Sequence, residues 1–445
     1  MFKRSIESEL SAWHKGADRK PLLIRGARQV GKTSAILRFA DGFSQFLHLN
    51  LEKKEDQAPF KQVLPITEQM QGLFFLKNLS WEKREDTLVF IDEIQEVPEA
   101  LNQLRYFHEA HPEIPLIASG SMLEILLRKP SHVPVGRLRY LMMRPVSFAE
   151  FLNALGELQA LEAFMSIPLP AYALSKLSEL YHLYALIGGM PEVVAHYAAN
   201  RDLTSLAPIY ESLLLSYQDD IEKYAPQKAD IIRQALKACF TESGKRIKFA
   251  GFGNSSFGSR EIGESLRTLE RAMLIHLVFP EKNATLPFLP DQRKSPRLHF
   301  LDTGLMNYFA GIQKEILGTS DLHKLWQGRM IEHITGQEIL SMKSSPLYQL
   351  HFWARDKKNA SAEVDYVYAL DGKVIPIEVK SGAAGKLKSL HLFMDTSPHT
   401  FAIRLYHGSP EKIECLTSGD RKYTLLNLPY FLASRIEEWS TQGIV

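Results

Sequence analysis

Eight consecutive residues, Gly26-Ala27-Arg28-Gln29-Val30-Gly31-Lys32-Thr33, satisfy every fixed position of the pattern G-x-x-x-x-G-K-[ST]. The residue types suit a phosphate. Gly26 and Gly31 allow positive φ and close backbone approach, while the amides of this run and the amino terminus of a following helix stabilise an anion. Lys32 would reach the β and γ phosphates of ATP, Thr33 would ligate Mg2+, and Ser34 completes the nucleotide-binding run. Such a loop needs a second acid for its metal. Thr87-Leu88-Val89-Phe90-Ile91-Asp92-Glu93 supplies one, an apolar run ending in two carboxylates about sixty residues downstream. The pair divides into Asp92 for the magnesium shell and Glu93 as the general base that orients the attacking water. Ser119, at the end of Leu116-Ile117-Ala118, is either a sensor of the γ-phosphate or a cap for the helix expected over Met122 to Arg128. Arg137 is the candidate for an arginine that completes the site from a neighbouring copy, a plain surface arginine being the alternative.

A second constellation lies near the carboxyl terminus. Glu363 to Leu370 and Lys373 to Lys380 read as two strands around Asp371-Gly372, the preferred dipeptide of a two-residue hairpin. That turn sets 370 against 373, hence 365 against 378 and 363 against 380, so that Glu363, Asp365, Glu378 and Lys380 share one face. Facing carboxylates need a compensating cation, and a divalent metal is the natural one. Pro376 in the second strand points to an edge position or a bulge. Asp365, twelve residues, then Glu378-x-Lys380 is the PD-(D/E)xK pattern. The order of helix 326–341, strands near 348–354, 363–370 and 373–380, helix 384–395 and strand 400–405 resembles that nuclease core. In such a site Asp365 and Glu378 hold Mg2+ and Lys380 positions the water or stabilises the phosphorane. Glu332 is the further candidate ligand, with Glu338 as its competitor.

The elements that must position these residues follow from apolar patterning. Apolar runs at 21–25, 46–51, 87–91 and 115–119, separated by amphipathic segments, predict a largely parallel α/β sheet. From 156 to 224 the pattern turns helical, interrupted at Gly188-Gly189-Met190-Pro191. Residues 225 to 300 carry thirteen Lys or Arg against seven Asp or Glu, an excess of +6. Within them, helices over 228–240 and 259–274, a strand at 277–279 and a short hairpin suggest a helix-turn-helix variant whose Arg260, Arg267 and Arg271 face DNA phosphates; a solvated helix in a protein-docking module reads equally well.

A length of 445 residues with 45% apolar and 23% charged side chains predicts several globular domains, and the net charge of +2 gives no whole-chain argument for nucleic acid or membrane. Two cysteines exclude a disulfide framework and suit the cytoplasm, and neither a signal peptide nor a membrane span is expected.

These motifs together, with Arg144-Pro145-Val146-Ser147-Phe148-Ala149-Glu150-Phe151, Gly188-Gly189-Met190-Pro191-Glu192 and Phe300-Leu301-Asp302-Thr303-Gly304-Leu305, resemble a large family of prokaryotic AAA+-type P-loop ATPases that carry a C-terminal nuclease-like domain of unknown function. The segment Arg144-Pro145-Val146 departs mildly from the Leu or Leu-Pro usual there. The resemblance implies four parts: an AAA+-like P-loop ATPase over 1–155, a helical module over 156–224, a winged-helix-like domain over 225–300, and a restriction-endonuclease-like α/β domain over 301–445. The function expected is Mg2+-dependent ATP hydrolysis driving a DNA-associated C-terminal half with a metal-dependent nuclease site. The alternative is an ATP-dependent switch whose C-terminal half binds a protein or DNA without cutting. A homo-oligomer is compatible with either.

Overall fold

The computed structural model describes residues 2–62, 64–121, 136–311, 329–356, 361–380 and 387–442. They form two units. One runs from the amino terminus to Pro145 and includes Arg271–Met273 and Lys343–Leu347; the other comprises Val146–Glu270, Leu274–Met342 and the chain from Tyr348 onward. The helices expected over Met122 to Arg128, over 326–328 and over 384–386 lie outside the described residues.

In the first unit, β1 (Leu22–Arg25), β2 (Gln45–Asn50), β3 (Thr87–Asp92), β4 (Leu116–Gly120) and β5 (Arg139–Met142) form a parallel sheet in the order β2-β3-β4-β1-β5. Leu22 to Ile24 and Leu88 to Ile91 are fully buried, as strands with both faces covered must be. Helices Ile66–Leu76 and Pro98–Ala110 bring Met70, Leu73, Phe74, Leu101, Leu104 and Phe107 against Leu23, Leu49, Val89, Ile91 and Ala118. The first four strands coincide with the four apolar runs. The fifth has no such run, because Arg139 is exposed and only Leu141 is buried. With β4 between β1 and β3, the carboxyl ends of three neighbouring strands present Gly26, Ser119 and Asp92 along one rim, where ligands bind in open parallel sheets.

The second unit begins with helices. Ser147 opens the helix Phe148–Ala154 with a reciprocal capping box, its hydroxyl accepting from Glu150 N and the Glu150 carboxylate accepting from Ser147 N. Helices Leu158–Met165, Leu174–Ile187, Pro191–Asn200 and Ala207–Tyr224 follow. Gly188-Gly189 and the Asp302 motif interlock. Asp302 caps the helix Thr303–Phe309 through Leu305 N at 3.1 Å and accepts from Gly189 N at 2.6 Å. A Cβ on Gly188 (φ 76°) would overlap the Asp302 carboxylate, and one on Gly304 would overlap the Ile187 carbonyl. Burial raises the Asp302 carboxyl to about 6, the backbone N–H groups around it acting in the opposite direction.

Helices Ala229–Glu242 and Ser259–Arg271 precede β6 (Ile275–Val278), which pairs antiparallel with β8 (Arg297–Phe300). The expected short hairpin is not tight. The chain between the paired strands runs from 279 to 296, and within it β7 (Pro280–Glu281) joins a different sheet, in the order β10-β9-β7 with β9 (Phe352–Arg355) and β10 (Ala362–Val364).

The carboxyl-terminal sheet has the order β11-β12-β13-β15-β14, from β11 (Tyr366–Leu370), β12 (Lys373–Val379), β13 (Phe401–Tyr406), β14 (Glu411–Leu416) and β15 (Lys422–Pro429). The helix Lys388–Thr396 lies between β12 and β13, which run parallel, and it packs Leu390, Phe393 and Met394 on Val367, Val374 and Ala402. Asp371 (φ 48°) and Gly372 (φ 74°) take the left-handed turn, and Leu370 faces Lys373 as the register argument requires.

Two expectations are corrected here. The strand expected over 363–370 divides at Asp365, and Glu363 pairs with Ala354 of β9 rather than with Lys380. The reason is local: the Asp365 carbonyl accepts from Arg297 and its carboxylate from Val379 N, so the ladder has no use for this residue. Pro376 is on an inner strand, not an edge. It sits opposite Val367, whose N–H goes to the His351 carbonyl, and pairing of β12 with β13 begins only at Ile377, so its missing N–H breaks no bond of either ladder.

Candidate functional site

The glycine loop leaves β1 and enters the helix Lys32–Ala40 through Gln29 (φ 63°) and Gly31 (φ 93°), both left-handed. A Cβ on Gly26 would overlap the Met143 carbonyl oxygen, so only glycine allows the loop to pass there. Gly31, at the amino-cap position of this helix, has no side chain to offer its first amides, the groups an anion at a helix amino terminus would meet. Lys32 is buried, and its Nζ donates to the carbonyls of Gly26 at 3.1 Å and Ala27 at 2.9 Å. It therefore lies folded over the loop it would share with phosphate. Arg28 lies 3.9 Å from the Glu52 carboxylate.

Asp92 is the hub. Its Oδ2 accepts from Thr33 Oγ1 at 2.7 Å, and its Oδ1 accepts from Ser119 Oγ and from Glu93 N at 3.0 Å. A hydroxyl and a carboxylate facing each other beside a phosphate loop are the donor set magnesium takes, so these residues fit the ion. Glu93 has φ 51°, which turns its side chain out of the strand direction; its carboxylate accepts from Gln95 Nε2. Burial raises the Glu93 carboxyl above the usual carboxylate range, Lys32 and Gln95 oppose the rise, and Asp92 adds to it. Gln95, two residues on, is the residue that orients Glu93. Arg137 is half exposed and pairs with Glu109 at 3.0 Å, on the helix Pro98–Ala110 rather than on the loop.

The second constellation assembles as well. Asp365 Oδ2 accepts from Val379 N at 2.8 Å, and Glu378 Oε1 pairs with Lys380 Nζ at 2.5 Å. Glu378 is 4% exposed, and its Oε2 is buried with no hydrogen-bond partner among the described residues. Glu332 approaches from the helix Arg329–Ser341. Its carboxyl is raised to about 7, first by burial and then by Asp365; Glu378 is raised to about 7 by the same two causes. Glu338 belongs elsewhere. Six residues farther along that helix and on another face, it accepts from Phe148 N at 3.0 Å and Tyr184 OH at 2.8 Å.

One participant was missed. Arg297, on β8, is buried, donates from Nη1 to the Asp365 carbonyl at 2.8 Å, pairs through Nη2 with Glu363 and lies 3.8 Å from Asp365 Oδ1. In the sequence it enters only as one of the thirteen basic residues of 225–300; its one signal is its position in the otherwise uncharged strand Arg297-Leu298-His299-Phe300. Arg246 at the rim is engaged through both terminal nitrogens by Asp356 and only loosely by Glu363, at 3.8 Å. Four carboxylates, Glu332, Glu363, Asp365 and Glu378, thus face two cations, Arg297 and Lys380, which leaves a formal charge of −2 when all are ionised. That residue of charge and the unpartnered Glu378 Oε2 fit a divalent ion. Among the described residues, though, no three His, Cys, Asp or Glu side chains converge as a ready chelate.

In the basic segment, Arg260 is highly exposed and pairs with Glu264, which also takes Lys228. Arg267 is exposed on the same helix. Among the described residues, no helix is long and apolar enough to cross a membrane.

Residues 18–152 match a family described as an AAA domain. Residues 178–316 and 327–411 match two families, each described as a domain of unknown function (DUF8612 and DUF4143). No curated protein matches the chain. Among solved structures, the Walker-type ATPase PABY2304 of Pyrococcus abyssi is similar over 70% of this chain and 96% of its own, at 15% identity and a TM-score of 0.45. PCH-2 of C. elegans is similar over 44% of this chain and 62% of its own, at 14% identity and a TM-score of 0.28. The amino-terminal part is a P-loop ATPase domain of AAA type, an assignment that rests on the family match and on the Thr33–Asp92 geometry.

Proposed function

We propose that this ATPase couples magnesium-dependent ATP turnover to a DNA-associated C-terminal half. The observation that carries the reading is Asp92, held by Thr33 on one oxygen and by Ser119 on the other. Lys32 would bind the β and γ phosphates, Thr33 and Asp92 would hold a magnesium ion, and Glu93, oriented by Gln95, would take the proton of the attacking water. Magnesium, when bound, supplies charge neutralisation on the phosphates. A carboxyl raised above the ordinary carboxylate range is a better base than an ordinary glutamate, which suits Glu93 to that role. Arg137 serves a neighbouring copy, so specific activity should rise with protein concentration in wild type and stay flat in Arg137→Ala. A flat wild-type profile would remove it from the site.

The C-terminal cluster supports a finer proposal, a metal-dependent phosphodiesterase of the PD-(D/E)xK kind with Asp365 and Glu378 as metal ligands, Glu332 in support and Lys380 beside the water. The helices Ala229–Glu242 and Ser259–Arg271 with β6 and β8 are proposed as a winged-helix-like DNA contact. The four parts named from the sequence remain our functional division, and two free cysteines, Cys239 and Cys415, favour the cytoplasm. A second reading, a switch that binds without cutting, is favoured by Arg297, which already compensates part of the cluster. Incubating wild type and Asp365→Ala with plasmid and linear DNA, in Mg2+ or Mn2+ and with or without ATP, separates the two. Cleavage by wild type alone supports the nuclease; no cleavage under any condition supports the switch.

A further inference from the structure

The middle segment meets the rim of the C-terminal cluster through Arg246 and enters it through a buried side chain, Arg297. β8 belongs to the basic stretch, yet its Arg297 points away from solvent, with its side chain 6% exposed. Its guanidinium lies 4.7 Å from the Phe352 ring centroid and 5.8 Å from that of Tyr366, which fixes its plane. From there it grips Glu363 and the Asp365 carbonyl, and its Nη2 stands 3.8 Å from the Asp365 oxygen a metal would use. A planar fork held by two rings and two acceptors is preorganised, which a lysine at this position would not be. We propose that Arg297 is the resident counter-ion of this cluster and competes with a divalent cation for Asp365, so that the arginine sets the metal affinity of the site.

The proposal rests on the reading of Asp365 and Glu378 as metal ligands. Its physical basis is like-charge repulsion. A fixed positive charge about 4 Å from a ligand carboxylate opposes a second cation there, and a low-dielectric surround strengthens the opposition. Lys380 does not play this part, since it is bonded to Glu378 Oε1 and leaves Oε2 open. Withdrawal of β8 would remove the competing charge, which makes the basic segment a control on the cluster.

The test is Mn2+ binding to the full chain without nucleotide, by calorimetry or by the electron paramagnetic resonance of free Mn2+, for wild type, Arg297→Gln, Arg297→Lys and Asp365→Asn. Arg297→Gln should bind about tenfold tighter or more, Arg297→Lys should fall between it and wild type because it keeps the charge without the fixed fork, and Asp365→Asn should lose the site. Equal or weaker binding by Arg297→Gln, with wild-type binding still dependent on Asp365, overturns the proposal and leaves the metal site standing. No Asp365-dependent binding in wild type or Arg297→Gln overturns both. Binding by Arg297→Gln alone supports the proposal in its strongest form. Should Arg297→Gln fail to fold, amide exchange on wild type decides. Mn2+ should increase exchange in the β8 peptide as Arg297 lets go, and unchanged exchange there alongside protection around Asp365 overturns the proposal.

Discussion

Thr33 and Asp92, fifty-nine positions apart, meet in a 2.7 Å hydrogen bond across the rim of the parallel sheet. The hydroxyl comes from the first turn of the helix after the glycine loop and the carboxylate from the end of β3, so the bond reports that loop and acidic strand are in register. Thr33→Ala should lower phosphate release at least a hundredfold in Mg2+ while ATP still binds in EDTA, because the loop amides and Lys32 remain. Equal loss of binding and turnover would place Thr33 in loop folding instead.

Glu93→Gln should retain ATP and lose turnover. For wild type, the raised carboxyl has a consequence for pH: the base is inactive while protonated, so activity climbs with pH through a midpoint above the ordinary carboxylate range. A rate that is flat down to the usual carboxylate range would show that another group takes the proton.

Glu338 offers a stability measurement far from either reaction. It is fully buried, and burial raises its carboxyl to about 7, with Ser434, Tyr184 and Phe148 opposing and Glu150 adding to the rise. The folded state therefore holds a proton that the unfolded chain has already released. Stability contributed by the neutral form is present below about pH 4.5 and is lost as pH rises toward 7, by something on the order of 3 kcal/mol. Glu338→Gln, which accepts the same two hydrogen bonds, should be nearly neutral at pH 5 and more stable than wild type at pH 8, as read from urea midpoints. A difference independent of pH would mean the carboxyl stays ionised.

The interlock of Gly188 and Gly304 with Asp302 predicts structural sensitivity without loss of nucleotide. Gly304→Ala should cost about 2–4 kcal/mol, because its methyl would enter the Ile187 carbonyl and backbone must shift. A change under about 0.5 kcal/mol would show that the joint is soft.

What the sequence made legible was local. A phosphate loop is contiguous and so can be read from its own residues, and Asp371-Gly372 sets by itself the register that the ladder follows from Leu370–Lys373 as far as Tyr366–Ile377. The choice between Glu332 and Glu338 was not legible. The helix Arg329–Ser341 buries Met330, Ile331 and every residue from His333 to Leu340, so no polar stripe marks which face carries chemistry. Arg297 was lost for a related reason, since a charge count treats every arginine as solvated while this one is enclosed by rings and acids from distant strands. β5 escaped because one buried leucine does not make a pattern.

The change of sheet at Asp365 bears on how such a site drifts over evolutionary time. From Asp365 to Glu378 the spacing passes through one two-residue turn and a continuous antiparallel ladder, so an insertion of one residue would carry Glu378 to the opposite face. Glu363 and Val364 pair with β9, and at Asp365 alone the chain crosses from that ladder to the one β11 forms with β12. The first interval is set within one ladder, whereas the second spans the junction of two. Homologous chains should therefore keep the twelve intervening residues wherever the turn has two, while the acid that receives Arg297 keeps its place only as long as β10 keeps its register on β9.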